Sequence, residues 1–264
     1  MRSAGVFSSN LIRIKFGFQP KSIPQELYKF RRLKLKFKNP FSTLTRFEWI
    51  LLSVSLIAVT LSFVLSPATD YMSLFASLIG VTALIFIAKG MAFGQLLVII
   101  FAILYGIISY RFAYYGEMIT YLLLSAPAAL LSLIAWIRNP YEESDTVKVR
   151  TYLSLRTHII LILLTVAMTV GSYFLLDLLG TANLIFSTLS VMTSFYASAL
   201  TFMRSPFYAL AYAGNDLVLI VLWALAAIED ISYLPMIFCF IMFLVNDSYG
   251  FFNWKRLERA QAKN

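Results

Sequence analysis

The sequence predicts an all-α integral membrane protein of eight transmembrane helices, and three observations carry that prediction. Hydrophobic residues make up 60% of the 264 and charged residues only 13%, a balance that a soluble domain would not tolerate on its surface. The apolar residues gather into runs of about 20, the length at which a helix crosses the hydrocarbon core. The basic residues concentrate in alternate connections, as they do when Lys and Arg are retained on the cytoplasmic side.

The first 48 residues hold half of the 22 basic side chains. Between Lys29 and Lys38, Arg31, Arg32, Lys34 and Lys36 alternate with Tyr28, Phe30, Leu33, Leu35 and Phe37. Such a segment favours anionic lipid at the inner leaflet, at about 1 kcal/mol per charge, and is expected to anchor the topology. It is too long for the basic region of a cleaved signal peptide, so the first span is expected to be retained. The net charge of +9 is gathered at the inner face and gives no argument for nucleic acid binding.

Eight apolar runs follow, at 49–66, 72–88, 92–110, 116–137, 158–179, 181–203, 207–228 and 233–252. A transmembrane domain over 49–256 and a short tail over 257–264 complete the organisation. Lys89, the loop with Arg138, Lys148, Arg150 and Arg156, then Arg204, then Lys255, Arg256, Arg259 and Lys263 alternate with connections bearing Asp70, Glu117, Asp177, Glu229 and Asp230. Both termini are therefore expected to be cytoplasmic, with Arg111 the one basic residue out of place. Cys239 and His158 are each the only residue of their kind, so no disulfide framework or Cys/His metal cage can be assembled, and no cofactor is expected.

An internal repeat appears at an offset near 119. Gly94-Gln95-Leu96-Leu97-Val98-Ile99-Ile100 in the third span is similar to Gly214-Asn215-Asp216-Leu217-Val218-Leu219-Ile220 in the seventh, and Trp136-Ile137-Arg138 to Trp254-Lys255-Arg256. This sets spans two to four against six to eight, with the fifth as linker and the first as an addition. A single linking span gives the two three-helix units the same orientation, so a 3+1+3 core of parallel repeats is expected.

Polar residues within the spans mark the candidate site, since such groups at membrane depth are costly and usually functional. In the seventh span Tyr208, Tyr212, Asp216 and Trp223 follow helical spacing, with Asn215 alongside. In the eighth, Asn246, Tyr249, Gly250 and Asn253 share one face, and Asp247 and Trp254 the next. Gln95 and Tyr105 are the contributions of the third span. Simpler roles compete for some of these: interfacial anchoring for Trp136 and Trp254, helix packing for Gly250, and interhelical hydrogen bonds for Asn246 and Asn253. Glu117, at the outer boundary, is expected to stay hydrated. Asp216, within a span, is the residue hardest to explain structurally.

With these residues in place the chain resembles the PnuC transporters of nicotinamide riboside, relatives of the SWEET sugar transporters. The resemblance covers residues 49–256 and rests on Gly94-Gln95, the stretch Phe101 to Tyr121 with Tyr105-Gly106 and Tyr114-Tyr115-Gly116-Glu117, Pro127, Trp136, the run Gly214 to Trp223, and Asn246-Asp247-Ser248-Tyr249-Gly250 through Trp254. It implies a homotrimer in the plasma membrane of a bacterium, taking up a vitamin-like nucleoside down its gradient and trapping it through a cytoplasmic riboside kinase. Many members carry two tryptophans three residues apart, followed four residues later by an acidic or amide residue that meets the substrate. Matching the last to Asp216 puts Ala209 and Tyr212 where those tryptophans would stand, so the aromatic wall must come from Tyr212, Tyr208 or Trp223.

A nicotinamide riboside site fits these side chains. The ring is a permanent cation, which aromatic faces attract and Asp216 can neutralise, while Asn215, Asn246, Gln95 and Asn253 offer donors and acceptors to ribose hydroxyls. Thiamine, riboflavin and deoxynucleosides are the alternatives that the wider family brings, and proton-coupled uptake is the alternative to facilitated diffusion. An intramembrane aspartyl protease would need Gly-x-Gly-Asp and Tyr-Asp, where this chain has Ala213-Gly214-Asn215-Asp216 and Val245-Asn246-Asp247. No Walker loop or zinc-binding His-Glu pair is present, so no enzyme activity is expected.

Overall fold

In the computed structural model of the chain, residues 39–66, 71–111, 115–142, 144–181 and 183–263 are described. The basic N-terminal stretch expected to lie on the membrane, and Asp70, fall outside them. The chain divides into Met1–Ser42 and Thr43–Asn264, and the helical bundle is the second of these units.

Among the described residues eight helices are long and apolar enough to cross a membrane. They are α1 (Arg46–Leu65), α2 (Tyr71–Ala88), α3 (Ala92–Arg111), α4 (Glu117–Arg138), α5 (Leu155–Leu178), α6 (Leu184–Phe202), α7 (Tyr208–Glu229) and α8 (Leu234–Gln261). Most ends fall within a few residues of the apolar runs, but α8 continues past residue 252 to Gln261. That extension carries contacts of its own: the Gln261 amide accepts from Val149 N (2.8 Å) and donates to Val147 O (3.1 Å).

The fourth span is not a plain α-helix. Thr120–Ser125 is wound as a π-helix, and the Ala126 N–H reaches back to Tyr121 O. Pro127 supplies the reason, because it has no N–H for the carbonyl one turn back and its ring would strike that carbonyl. Widening the preceding turn relieves the clash and leaves Tyr121 and Ser125 facing inward.

The helices pack in the order α2, α3, α4, α6, α7, α8, with α8 returning to α2, so six of them close a ring. Close approach within it depends on small residues. A Cβ at Gly94 would lie 2.6 Å from Ile87 N, and one at Gly106 2.5 Å from a Leu122 side-chain carbon. α5 packs chiefly on α6 and α1 on α2 and α8, leaving broad apolar faces on both for lipid.

α1 is fastened by polar contacts. Thr45 and Glu48 form a capping box at its first turn. The buried Glu48 carboxylate also takes Lys89 Nζ on both oxygens (3.1 and 2.9 Å) and the Tyr249 hydroxyl (3.0 Å). Further along, Asn246 Nδ2 donates to Ser55 Oγ (2.9 Å).

At the end of the ring where α2, α4 and α6 finish, two tryptophans make reciprocal contacts. Trp136 of α4 donates its indole N–H to Thr201 O of α6 (3.0 Å), and Trp254 of α8 donates to Ile87 O of α2 (2.8 Å). Their rings lie 5.3 Å apart, and both side chains are buried. The expectation that they anchor at the membrane interface is therefore corrected: they close helix ends inside the protein. Just beyond, Gly90 (φ 72°) and Arg204 (φ 61°) turn left-handed after α2 and α6, and each is followed by the same long backbone bond, Met91 N to Phe86 O and Ser205 N to Leu200 O. The loop between α4 and α5 lies across both turns, with Val147 N bonded to Gly90 O and Arg150 N to Arg204 O.

Candidate functional site

The six ring helices enclose a cavity of about 80 Å³, lined by residues of every one of them. At roughly 10–15 Å³ of such space per water molecule, it holds several waters or one small polar solute.

α7 contributes most of its polar wall. Tyr208, Tyr212, Asn215 and Asp216 all face the cavity, because spacings of three, four and seven residues keep them on one side of the helix. Gly250 lets the hydroxyl end of Tyr208 lie against α8, where a Cβ would come within 3.2 Å of it. The Tyr212 hydroxyl shares a hydrogen bond of 2.8 Å with Ser198 Oγ. The Asn215 side-chain oxygen accepts from Thr193 Oγ1 (2.7 Å) and Ser194 Oγ (3.0 Å), which leaves its NH₂ as the group to serve a ligand.

Asp247 enters from α8, and its carboxyl interacts directly with that of Asp216. A carboxylate only accepts hydrogen bonds, so two in contact need a proton between them or a cation beside them. Gln95 of α3 completes the polar set. Gln95 Nε2, Tyr208 OH and Asp216 Oδ2 are all buried and have no hydrogen-bond partner among the described residues. Buried polar atoms seldom stay unpaired, since each costs about 1–3 kcal/mol, so the cavity is built to be filled by something polar.

Rings form the remaining wall. Phe101, Tyr121, Phe240 and Phe243 line the cavity, with Tyr121 5.9 Å from Phe101, and Phe243 5.6 Å from Phe101 and 5.4 Å from Phe240. At the other end Ile87 and Thr201, whose carbonyls receive the two indoles, complete the enclosure. Its charged side chains are the two aspartates alone, with no Lys, Arg or His among the lining residues.

Six of the expected site residues thus come together around one cavity: Gln95, Tyr208, Tyr212, Asn215, Asp216 and Asp247. The other five do not line it. Tyr105 and Trp223 sit farther along their helices, about 15 Å beyond Gln95 and about 10 Å beyond Asp216 at 1.5 Å per residue. They pack edge to face with each other behind the cavity's aromatic wall, their centroids 6.4 Å apart. Asn246 and Tyr249 turn to Ser55 and Glu48 of α1, and Asn253 Nδ2 donates to Ala88 O (2.8 Å), closing the end of α2. Glu117, expected in water, is buried.

Sequence reasoning missed Tyr121 and the hydroxyls of Ser125, Ser132, Ser194 and Ser198. Pro127 inside an apolar run was a signal for the first two. Serines in spans carry little signal, because their hydroxyls ordinarily bond a carbonyl of their own helix.

With this geometry established, comparison with known proteins identifies the family. The family model for nicotinamide mononucleotide transporters matches residues 70–256. The chain belongs to that family. Among curated relatives, the nicotinamide riboside transporter PnuC of Neisseria mucosa is 28% identical over 229 residues, covering 84% of this chain and 86% of its own length. The PnuC of Haemophilus influenzae is 24% identical over 228 residues, covering 86% and 96%. The crystal structure of a vitamin B3 transporter PnuC superposes with a TM-score of 0.72 at 26% identity, covering 83% of this chain and 94% of that one. The protein is accordingly a multi-pass membrane transporter and not an enzyme.

Proposed function

We propose that the chain carries nicotinamide riboside and that the ring cavity is its substrate site. One observation supports this reading most directly: a small cavity combining two carboxyl groups, an aromatic wall and unpaired amide and hydroxyl groups, with no basic residue. The pyridinium is a permanent cation, suited to aromatic faces at about 0.5–2 kcal/mol each depending on desolvation, and Asp216 and Asp247 are its counter-charge. Gln95, the Asn215 amide and the Tyr208 hydroxyl match ribose hydroxyls. The family's name refers to the mononucleotide, but a phosphate beside two carboxyl groups with no Lys or Arg would be repelled, so the riboside is favoured over its 5′-phosphate.

Transport is read as facilitated diffusion by alternating access, with the six-helix ring made of two parallel three-helix units, α2–α4 and α6–α8, that rock about the cavity. The resemblance to PnuC adds a homotrimer, a link to SWEET-type transporters and trapping by a cytoplasmic riboside kinase. Basic-residue placement puts both termini in the cytoplasm of a bacterial cell.

The test is binding and uptake with purified protein in liposomes, using labelled nicotinamide riboside with the mononucleotide, nicotinamide, thiamine and riboflavin as competitors. The riboside should compete best and the mononucleotide poorly; preference for the mononucleotide would overturn the reading. Initial uptake should survive collapse of the proton gradient, and its loss would replace facilitated diffusion with proton coupling.

A further inference from the structure

A second recess, of about 860 Å³, lies outside the ring between α5, α6, α7 and the loop residues 150–153. Its mouth holds Arg150 and His158, and its far end Thr165, Thr193 and Gly214. Between them the walls are apolar, with Met192, Leu200 and Leu210.

Depth says what kind of occupant fits. Thr165 is ten residues into α5, about 15 Å along the helix, which is half of a hydrocarbon core about 30 Å thick. A partner helix would need a groove running the whole span. This one ends near the middle of the bilayer, as a lipid of one leaflet does.

Charge at the mouth says which lipid. The Arg150 N–H bonds Arg204 O (3.0 Å), and Arg204 Nη1 donates to Lys148 O at 3.4 Å. The two residues are therefore held at the same turn, with Arg150 Nε donating to Tyr152 O (3.2 Å), and among the described residues neither forms an ion pair with a carboxylate. Burial, and then the Arg150 charge, hold the Arg204 guanidinium below its ordinary value. The cluster is short of negative charge.

We propose that this recess binds one anionic phospholipid per chain, its headgroup at Arg150 and Arg204 and an acyl chain between α5 and α7 down to Gly214. By the expected orientation this is the inner leaflet, where anionic lipids concentrate. The far end also touches the transport site through one residue: Thr193 lines the recess and donates to the Asn215 oxygen, while Asn215 lines the cavity.

The test is native mass spectrometry of the full-length protein titrated with phosphatidylglycerol or phosphatidylcholine. The natural protein should retain one phosphatidylglycerol per chain with a preference of about tenfold or more, as two basic groups at an anionic headgroup would give. R150Q/R204Q should abolish that preference. Gly214→Leu should abolish retention with both arginines in place, and the helix accepts a side chain at this position because a Cβ at Gly214 meets nothing within 4 Å. Equal retention of the two lipids by the natural protein would overturn the proposal. So would undiminished retention in Gly214→Leu, or a change of oligomeric state in that variant without lipid loss, which would assign the recess to a second copy of the chain.

Discussion

Asp216 is the side chain on which the proposed substrate reading turns. It is buried, it adjoins Asp247, and one of its oxygens lacks a hydrogen-bond partner among the described residues. Asp216→Asn keeps the shape and removes the counter-charge, so affinity for nicotinamide riboside should fall by roughly 10–100-fold, the range of a charge-assisted contact worth about 1.5–3 kcal/mol. Titration of labelled riboside against purified protein measures this, and an unchanged affinity would take Asp216 out of recognition. Tyr212 separates two contributions. Tyr212→Phe loses the Ser198 hydrogen bond but keeps the ring, whereas Tyr212→Ala loses both. The alanine variant should bind more weakly than the phenylalanine one by about 0.5–2 kcal/mol, the worth of a cation–π contact; equal affinities would mean that the ring does not face the cation.

Helices explain which residues were legible beforehand. Gln95, Tyr208, Tyr212, Asn215, Asp216 and Asp247 announce themselves because a polar stripe inside an apolar run must face something other than lipid. The stripe does not say which neighbour it faces. Asn246 and Tyr249 share a face of α8, but that face is covered by α1, a helix outside the ring whose docking position leaves no trace in the periodicity of α8. Trp136 and Trp254 misled for a related reason: a tryptophan beside a basic residue at a span end looks the same whether lipid or another helix end lies next to it. Their buried contacts predict a measurable cost. Trp254→Phe removes the indole bond to Ile87 O, which still accepts from Gly90 N (2.8 Å), and should lower stability by about 0.5–1.5 kcal/mol, seen as a lower melting temperature, and adding Trp136→Phe should depart from additivity because the rings touch. Glycines divide in the same way. Gly94→Ala pushes a methyl group into the backbone of α2 and should destabilise by about 1–3 kcal/mol, whereas Gly214→Ala, with open space around it, should leave the melting temperature nearly unchanged.

Across the whole molecule, eight spans could be read directly from hydropathy because the bilayer sets their length. The closure of six of them into a ring could not be read from apolar runs, since it depends on small-residue contacts between segments far apart in the chain. α1 is attached to that ring through Glu48, which joins Lys89 after α2 and Tyr249 of α8. Removing one partner of a buried pair costs roughly 3–5 kcal/mol, and the cost here should fall at the lower end because Lys89 keeps some contact with water. Glu48→Gln should therefore release α1, read as faster proteolysis between α1 and α2 and a lower melting temperature, while a ring that stands without α1 should still bind substrate. Loss of binding in a variant that remains folded would show that α1 shapes the cavity.

The two indole contacts have the form of a two-fold symmetric dimer interface written into one chain, each side giving what it receives. If α2–α4 and α6–α8 draw apart as bodies at this end, both contacts break, because each body holds one indole and one of the receiving carbonyls. The end of the ring they close is then an all-or-none device: both indoles are seated, or both lose their carbonyls together.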